Sequence, residues 1–146
     1  MKKSDPPIIV EATYPTTAEK VWAAITEPNQ MRKWFFENIK DFQAEVDFET
    51  SFVIKLEDKT FTHQWKIKEV IPYQKISYNW SYEEYEGEGY VVFDLMENEE
   101  GTLLRLTSVV TEDYPSNIPE FKRESGIGGW NYFIKQQLKE YLASTS

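Results

Sequence analysis

The feature that most restricts how this chain can fold is a change of period. From residue 41 to residue 110 apolar side chains recur at every second position, in segments divided by short turn-like clusters such as "EDK", "IPYQ", "EEYEGEG" and "ENEEG". That pattern predicts a meander of antiparallel strands, each with one face to cover. Phe42, Ala44, Val46 and Phe48 share one face, and Phe52, Ile54 and Leu56 the next. Phe61, His63, Trp65 and Ile67 follow, then Ile76, Tyr78, Trp80 and Tyr82. Val91, Phe93 and Leu95, and finally Leu104, Leu106, Ser108 and Val110, complete the series. Only one later element is suited to cover these faces. In "GIGGWNYFIKQQLKEYL" (residues 126–142), Trp130, Phe133, Ile134, Gln137, Leu138, Tyr141 and Leu142 fall at i, i+3, i+4, i+7, i+8, i+11 and i+12, one stripe of a helix.

Upstream, "PIIVEATYP" alternates Ile8, Val10, Ala12 and Tyr14 on one side, which predicts a first strand. Thr16 or Thr17 can cap a helix carrying Val21, Trp22 and Ile25. Pro28 ends it, and "NQMRKWFF" restarts a short helix on Met31, Trp34 and Phe35. The expected order is β-α-α-β6-α, an α+β fold with a long helix laid across a curved sheet. The 146 residues suit a single domain, expected over 8–142, with 1–7 a disordered or loosely held tail and 143–146 a second tail.

Composition narrows the function. Aromatics make up 16% of the chain, more ring surface than a minimal core requires, so the rings either fill an ordinary core or line a cavity. The set in question is Trp34, Phe35, Phe52, Trp65, Tyr78, Trp80, Phe93 and Trp130. A formal charge of −9 opposes nucleic-acid binding. Cysteine is absent and His63 is the single histidine, so no thiolate or multi-histidine metal site is expected, and no cofactor. "MKKSDPP" starts like a signal sequence, but Asp5-Pro6-Pro7 interrupts it and no apolar run of membrane length follows. A soluble, cytoplasmic protein without membrane insertion is the expectation.

Most local motifs lead away from catalysis. Gly126-x-Gly128-Gly129 misses the dinucleotide fingerprint, because Asn131 stands where a third glycine belongs, and it lacks the Lys-Ser/Thr of a phosphate loop. His63, on the face of Phe61 and Trp65, is either a hydrogen-bonded wall residue or a base or ligand contact. Glu83–Gly89 reads as a solvated hairpin tip. Glu69 falls on the apolar parity of its strand, which turns it inward unless the strand ends there.

Four stretches, in order, carry a family resemblance. "TTAEKVWAAITEPNQMRKWF" resembles the opening helices of the activator of heat-shock protein 90 ATPase-like family, "WKIKEVIPYQKISYNW" its central hairpin, "EGTLLRLTS" its Gly-Thr strand, and "GGWNYFIKQQLKEYL" its closing helix. The resemblance implies the helix-grip fold of the START-like (SRPBCC) superfamily, shared with Bet v 1-like pollen allergens, polyketide cyclases and lipid-transfer domains. It implies a hydrophobic cavity between the C-terminal helix and the sheet. Carried over by motif, Trp34, Phe35, Trp65, Trp80, Trp130 and Ile134 are cavity contacts; with Phe52, His63, Tyr78, Phe93, Leu106, Gly129 and Phe133 they form the candidate ligand site. "AEVDFETSF" lacks the Gly-Gly pair that opens the second strand in many members, and the chaperone activators carry an additional N-terminal domain.

The expected function is non-enzymatic binding or carriage of a small hydrophobic ligand, lipid-like or aromatic, with Tyr78 or His63 as polar contact, by a monomer or homodimer. The alternatives are a chaperone partner, and a cyclase or lyase in which His63 moves protons. In the family pattern the last helix begins before the Gly-Trp pair, near residues 118–121, after Ser116 or Asn117 as cap and with Pro119 in its first turn. The glycines then lie inside a helix, at up to about 1 kcal/mol each. Either a close approach to the sheet or room for a ligand would account for them.

Overall fold

The computed structural model describes residues 1–145. Ser146, in the expected C-terminal tail, lies outside the described residues. Strand β1 (Ile8–Tyr14) leads into helix α1 (Ala18–Thr26), whose first turn is capped by Thr17 Oγ1 accepting from the Lys20 amide at 3.3 Å. Helix α2 (Pro28–Trp34) follows at once, with Pro28 in its first turn, where a missing N–H costs nothing. Strands β2 (Glu49–Leu56), β3 (Lys59–Ile71), β4 (Lys75–Tyr82), β5 (Tyr85–Asn98) and β6 (Gly101–Glu112) then form the meander. The sheet is six-stranded in the order β1-β6-β5-β4-β3-β2, and every pairing is antiparallel.

After a single 3-10 turn (Pro119–Phe121), the chain becomes helical as α3 (Arg123–Asn131), a π-helical stretch (Tyr132–Gln137) and α4 (Leu138–Ser144). Trp130, Ile134, Leu138 and Leu142 of this long helix are buried against Val10, Leu104, Leu106, Val91, Phe93 and Tyr78 of the sheet in one core. The fold is thus α+β, a curved antiparallel sheet gripping its C-terminal helix.

Five details differ from the sequence expectation. Residues 41–48 are not a strand. Asp47 sits at φ 73°, in the left-handed region, and the chain turns there into its pairing with β3, the Asp47 amide donating to the Ile67 carbonyl at 2.9 Å and the Ile67 amide to the Phe48 carbonyl at 2.9 Å. Phe42 is buried with its ring edge on Trp65 and Tyr78, whereas Val46 is 55% exposed, so the alternation there does not describe one covered face. Second, Glu83–Gly89 is mostly strand: only Glu83 and Glu84 turn, and β5 begins at Tyr85. Third, the β3–β4 register shifts between Ile67 and Glu69, and this bulge rotates Glu69 outward, where it pairs with Lys75 Nζ at 3.1 Å.

Fourth, the N-terminal segment is held rather than loose. The Met1 ammonium donates to the Phe121 carbonyl at 2.6 Å, the Tyr114 amide to the Met1 carbonyl at 3.0 Å, and Arg123 Nη1 to the Pro6 carbonyl at 2.6 Å. Fifth, the last helix begins at Arg123, since Lys122 at ψ 149° separates it from the 3-10 turn that contains Pro119. At its other end it runs through Ser144, into the expected tail. No helix among the described residues is long and apolar enough to cross a membrane.

The π stretch has a local partner. In a π turn the i→i+4 ladder slips by one residue, as in the bond from the Leu138 amide to the Phe133 carbonyl. Tyr14 Oη donates to the Ile134 carbonyl at 2.6 Å, tying the slipped turn to β1 from within the core.

Candidate functional site

Between α3 and the sheet lies a cavity of about 140 Å³. Gly126, Gly129 and Trp130 of α3 and Phe133 of the π stretch form one wall, and Gly89–Val91 of β5 with Ser108–Val110 of β6 the other. Trp80 and Tyr82 of β4 and Phe36 line one side; Met1, Tyr114, Glu120 and Ser125 lie at the end where the N-terminal segment docks.

The space exists because small residues oppose each other. A Cβ added at Gly129 meets no atom within 4 Å, and the same holds at Gly128. These two glycines therefore do not serve a close helix–sheet approach. Gly126 does, since a Cβ there comes within 3.2 Å of Met1 Sδ and 3.3 Å of Ile8 Cδ1. Across the cavity, Ser108 stands on the inward parity that places Leu104 and Leu106 in the core, so a hydroxymethyl occupies a position where a leucine would fill the space.

Of the candidate residues, Trp80, Gly129, Trp130 and Phe133 line the cavity. Trp34, Phe35, Phe52, His63, Trp65, Tyr78, Phe93, Leu106 and Ile134 do not; they are buried side chains packed against one another. Trp34 and Phe35 stack at 4.7 Å between ring centroids, Phe35 stacks on Trp65 at 5.6 Å, and the Phe52 ring meets Trp65 at 4.8 Å. Rings at these distances leave no gap for a guest. Trp34 Nε1 also donates to the Ala24 carbonyl at 2.7 Å, an anchoring bond from core to α1. Sequence reasoning missed Met1, Phe36, Tyr82, Gly89, Ser108 and Tyr114. Ser108 carried a readable signal, a small polar residue on an otherwise leucine-bearing face; nothing local marked Met1 or Tyr114.

The polar groups fall into two sets. At the cavity, Trp80 Nε1 donates to Tyr82 Oη at 2.8 Å, and Tyr114 Oη donates to the Trp80 carbonyl at 3.0 Å. Burial pushes the Tyr82 hydroxyl up to about 12, the bond from Trp80 acting in the opposite sense. Tyr114 is pushed up by burial and, secondarily, by the neighbouring Tyr82 and Glu88. Glu120 meets Lys59 Nζ at 2.9 Å, and this hydrogen bond holds its carboxyl below the ordinary value.

In the packed core, His63 is 6% exposed and stacks on Phe52 at 4.8 Å, with Nδ1 3.2 Å from the Phe61 carbonyl. Burial lowers it to about 4, so it is neutral at pH 7. Trp65 Nε1 and Tyr78 Oη are buried there without hydrogen-bond partners among the described residues.

The sequence model of one protein family, described as "Activator of Hsp90 ATPase homolog 1-like protein", matches residues 15–143. No curated protein matches the chain. Among solved structures, protein MLL2253 from Mesorhizobium loti is similar over 97% of this chain and 99% of its own, with 25% identity and a TM-score of 0.74. A protein from Rhodobacter sphaeroides aligns over 96% and 93% of the two chains at 19% identity and a TM-score of 0.77. For protein BH1534 from Bacillus halodurans the values are 94%, 96%, 22% and 0.72. With the family match covering nearly all of a chain that folds in this way, the protein belongs to the activator of Hsp90 ATPase homolog 1-like family.

Proposed function

We propose that the protein binds, without chemical conversion, a small apolar molecule of about one aromatic ring in the cavity between α3 and strands β5 and β6. The observation that carries this reading is the cavity itself: about 140 Å³, walled by Trp80, Trp130, Phe133, Val91 and Val110. An apolar cavity of about 150 Å³ accepts benzene, whereas sites for drug-sized ligands run to about 300–1,000 Å³. The size favours a single ring over a lipid or sterol.

The proton-transfer alternative is disfavoured by the position of His63, which is not on the cavity wall and is held neutral by burial. The chaperone alternative rests on the family's description, with no residue of this chain behind it.

A thermal-shift titration with toluene and, in parallel, decanoate tests the reading. A ligand confined to the folded state raises stability by RT ln(1 + [L]/Kd). The expected result is a melting temperature that climbs with toluene and stays flat with decanoate; no rise up to the solubility of toluene refutes it.

A further inference from the structure

We infer that Tyr82 is the hydrogen-bond donor of this site, and that the preferred ligand is a monocyclic aromatic bearing one oxygen acceptor, a phenolic or carbonyl oxygen, which lies against the Tyr82 hydroxyl. The inference rests on the ligand-binding reading above and narrows it to a chemical class.

A tyrosine hydroxyl offers one proton and can accept through its oxygen. The oxygen of Tyr82 already accepts from Trp80 Nε1 at 2.8 Å, while its own proton has no protein acceptor among the described residues. The other hydroxyl on the phenolic side of the cavity, that of Tyr114, spends its proton on the Trp80 carbonyl at 3.0 Å. Tyr82 is therefore left with a free donor beside the apolar walls, and the indole behind it polarises the hydroxyl and strengthens that donor. With its ionisation pushed up to about 12, the hydroxyl keeps its proton at neutral pH.

The backbone is bent at this place. The β4–β5 register shifts between Ser81 and Tyr82, so Tyr82 opposes Tyr85, and the β5–β6 register shifts between Glu88 and Gly89. Gly87 takes φ 110° between them, a region that side chains rarely adopt. The extra residues lie on β5 at the first shift and on β6 at the second, so Tyr82 keeps the inward parity of Tyr78 and Trp80 and reaches the cavity together with Gly89. Opposite, Ser108 adds a small hydroxyl to the β6 wall, which lets a ring carry its polar substituent without meeting a purely hydrocarbon surface.

The test is isothermal titration of the full chain and of Tyr82→Phe with two probes of similar size, phenol and toluene. The expected result is that Tyr82→Phe binds phenol about tenfold more weakly, as loss of one neutral hydrogen bond predicts, and toluene within about twofold of the original. Retained toluene binding shows at the same time that the variant is folded. Equal losses for both probes, or no loss for phenol, overturn the assignment of Tyr82. Failure of both probes to bind the unaltered chain refutes the binding reading itself, and so separates the two outcomes.

Discussion

Replacing Gly129 with leucine is expected to stabilise the protein and to close its cavity in one step. A Cβ at this position meets nothing within 4 Å, and the residue lines the cavity, so the new side chain enters open space. Two terms act in the same direction. Leucine in a helix interior is better than glycine by about 0.8–1 kcal/mol. Burying the new leucine side chain against the cavity wall contributes up to about 3 kcal/mol more.

The expected gain in unfolding free energy therefore lies between about 1 and 4 kcal/mol, or a rise of at least roughly 2–4 °C in melting temperature for a chain of this length. Urea unfolding followed by tryptophan fluorescence measures it, and Gly128→Ala isolates the helix term. Gly128 is exposed and equally uncrowded but is not on the cavity wall, so its variant should gain only about 0.5–1 kcal/mol and bind toluene normally. A Gly129→Leu variant that is destabilised, or that still binds toluene as the unaltered chain does, refutes the reasoning, because either result means the space is not available as described.

His63 makes stability depend on pH in a stated direction. Its ordinary value is 6.5 and burial lowers it to about 4, so between those values the unfolded chain binds a proton that the folded chain refuses. Stability is full above pH 6.5 and falls by roughly 3 kcal/mol as the pH approaches 4; urea midpoints for the chain and for His63→Gln should diverge in slope across that window and nowhere above it. Tyr14→Phe removes the donor to the Ile134 carbonyl in the π stretch and is expected to cost about 1–3 kcal/mol by leaving a buried acceptor unmade; an unchanged denaturation midpoint would show the bond to be idle. Tyr78→Phe acts oppositely, since it deletes a buried hydroxyl without a partner, and stability should hold or rise by about 1 kcal/mol; a clear loss in the same assay contradicts its being unpartnered.

Apart from the strand expected over 41–48 and the direction of Glu69, the order of elements, the strand faces and the helical stripe were legible in the sequence because they are properties of period, and period is local. His63 beside Phe61 and Trp65, Thr17 as a cap and Pro28 as a break all stand where alternation and capping rules placed them. The glycines lie inside the last helix as the family pattern implied. Tertiary structure alone decided which rings pack and which leave space. Inward parity is shared by Trp65, Tyr78 and Trp80, yet only Trp80 reaches the cavity, because whether a gap remains depends on what the opposite element brings to the same point. Gly129 and Ser108 lie far apart in the chain and make room together, while Met1 and Tyr114 come to the same end through hydrogen bonds between distant segments. The bulge at Ile67/Glu69 changed the side-chain direction that alternation had assigned to Glu69. A period says which way a side chain points; the volume left between two surfaces is a property of both, and appears only when they meet.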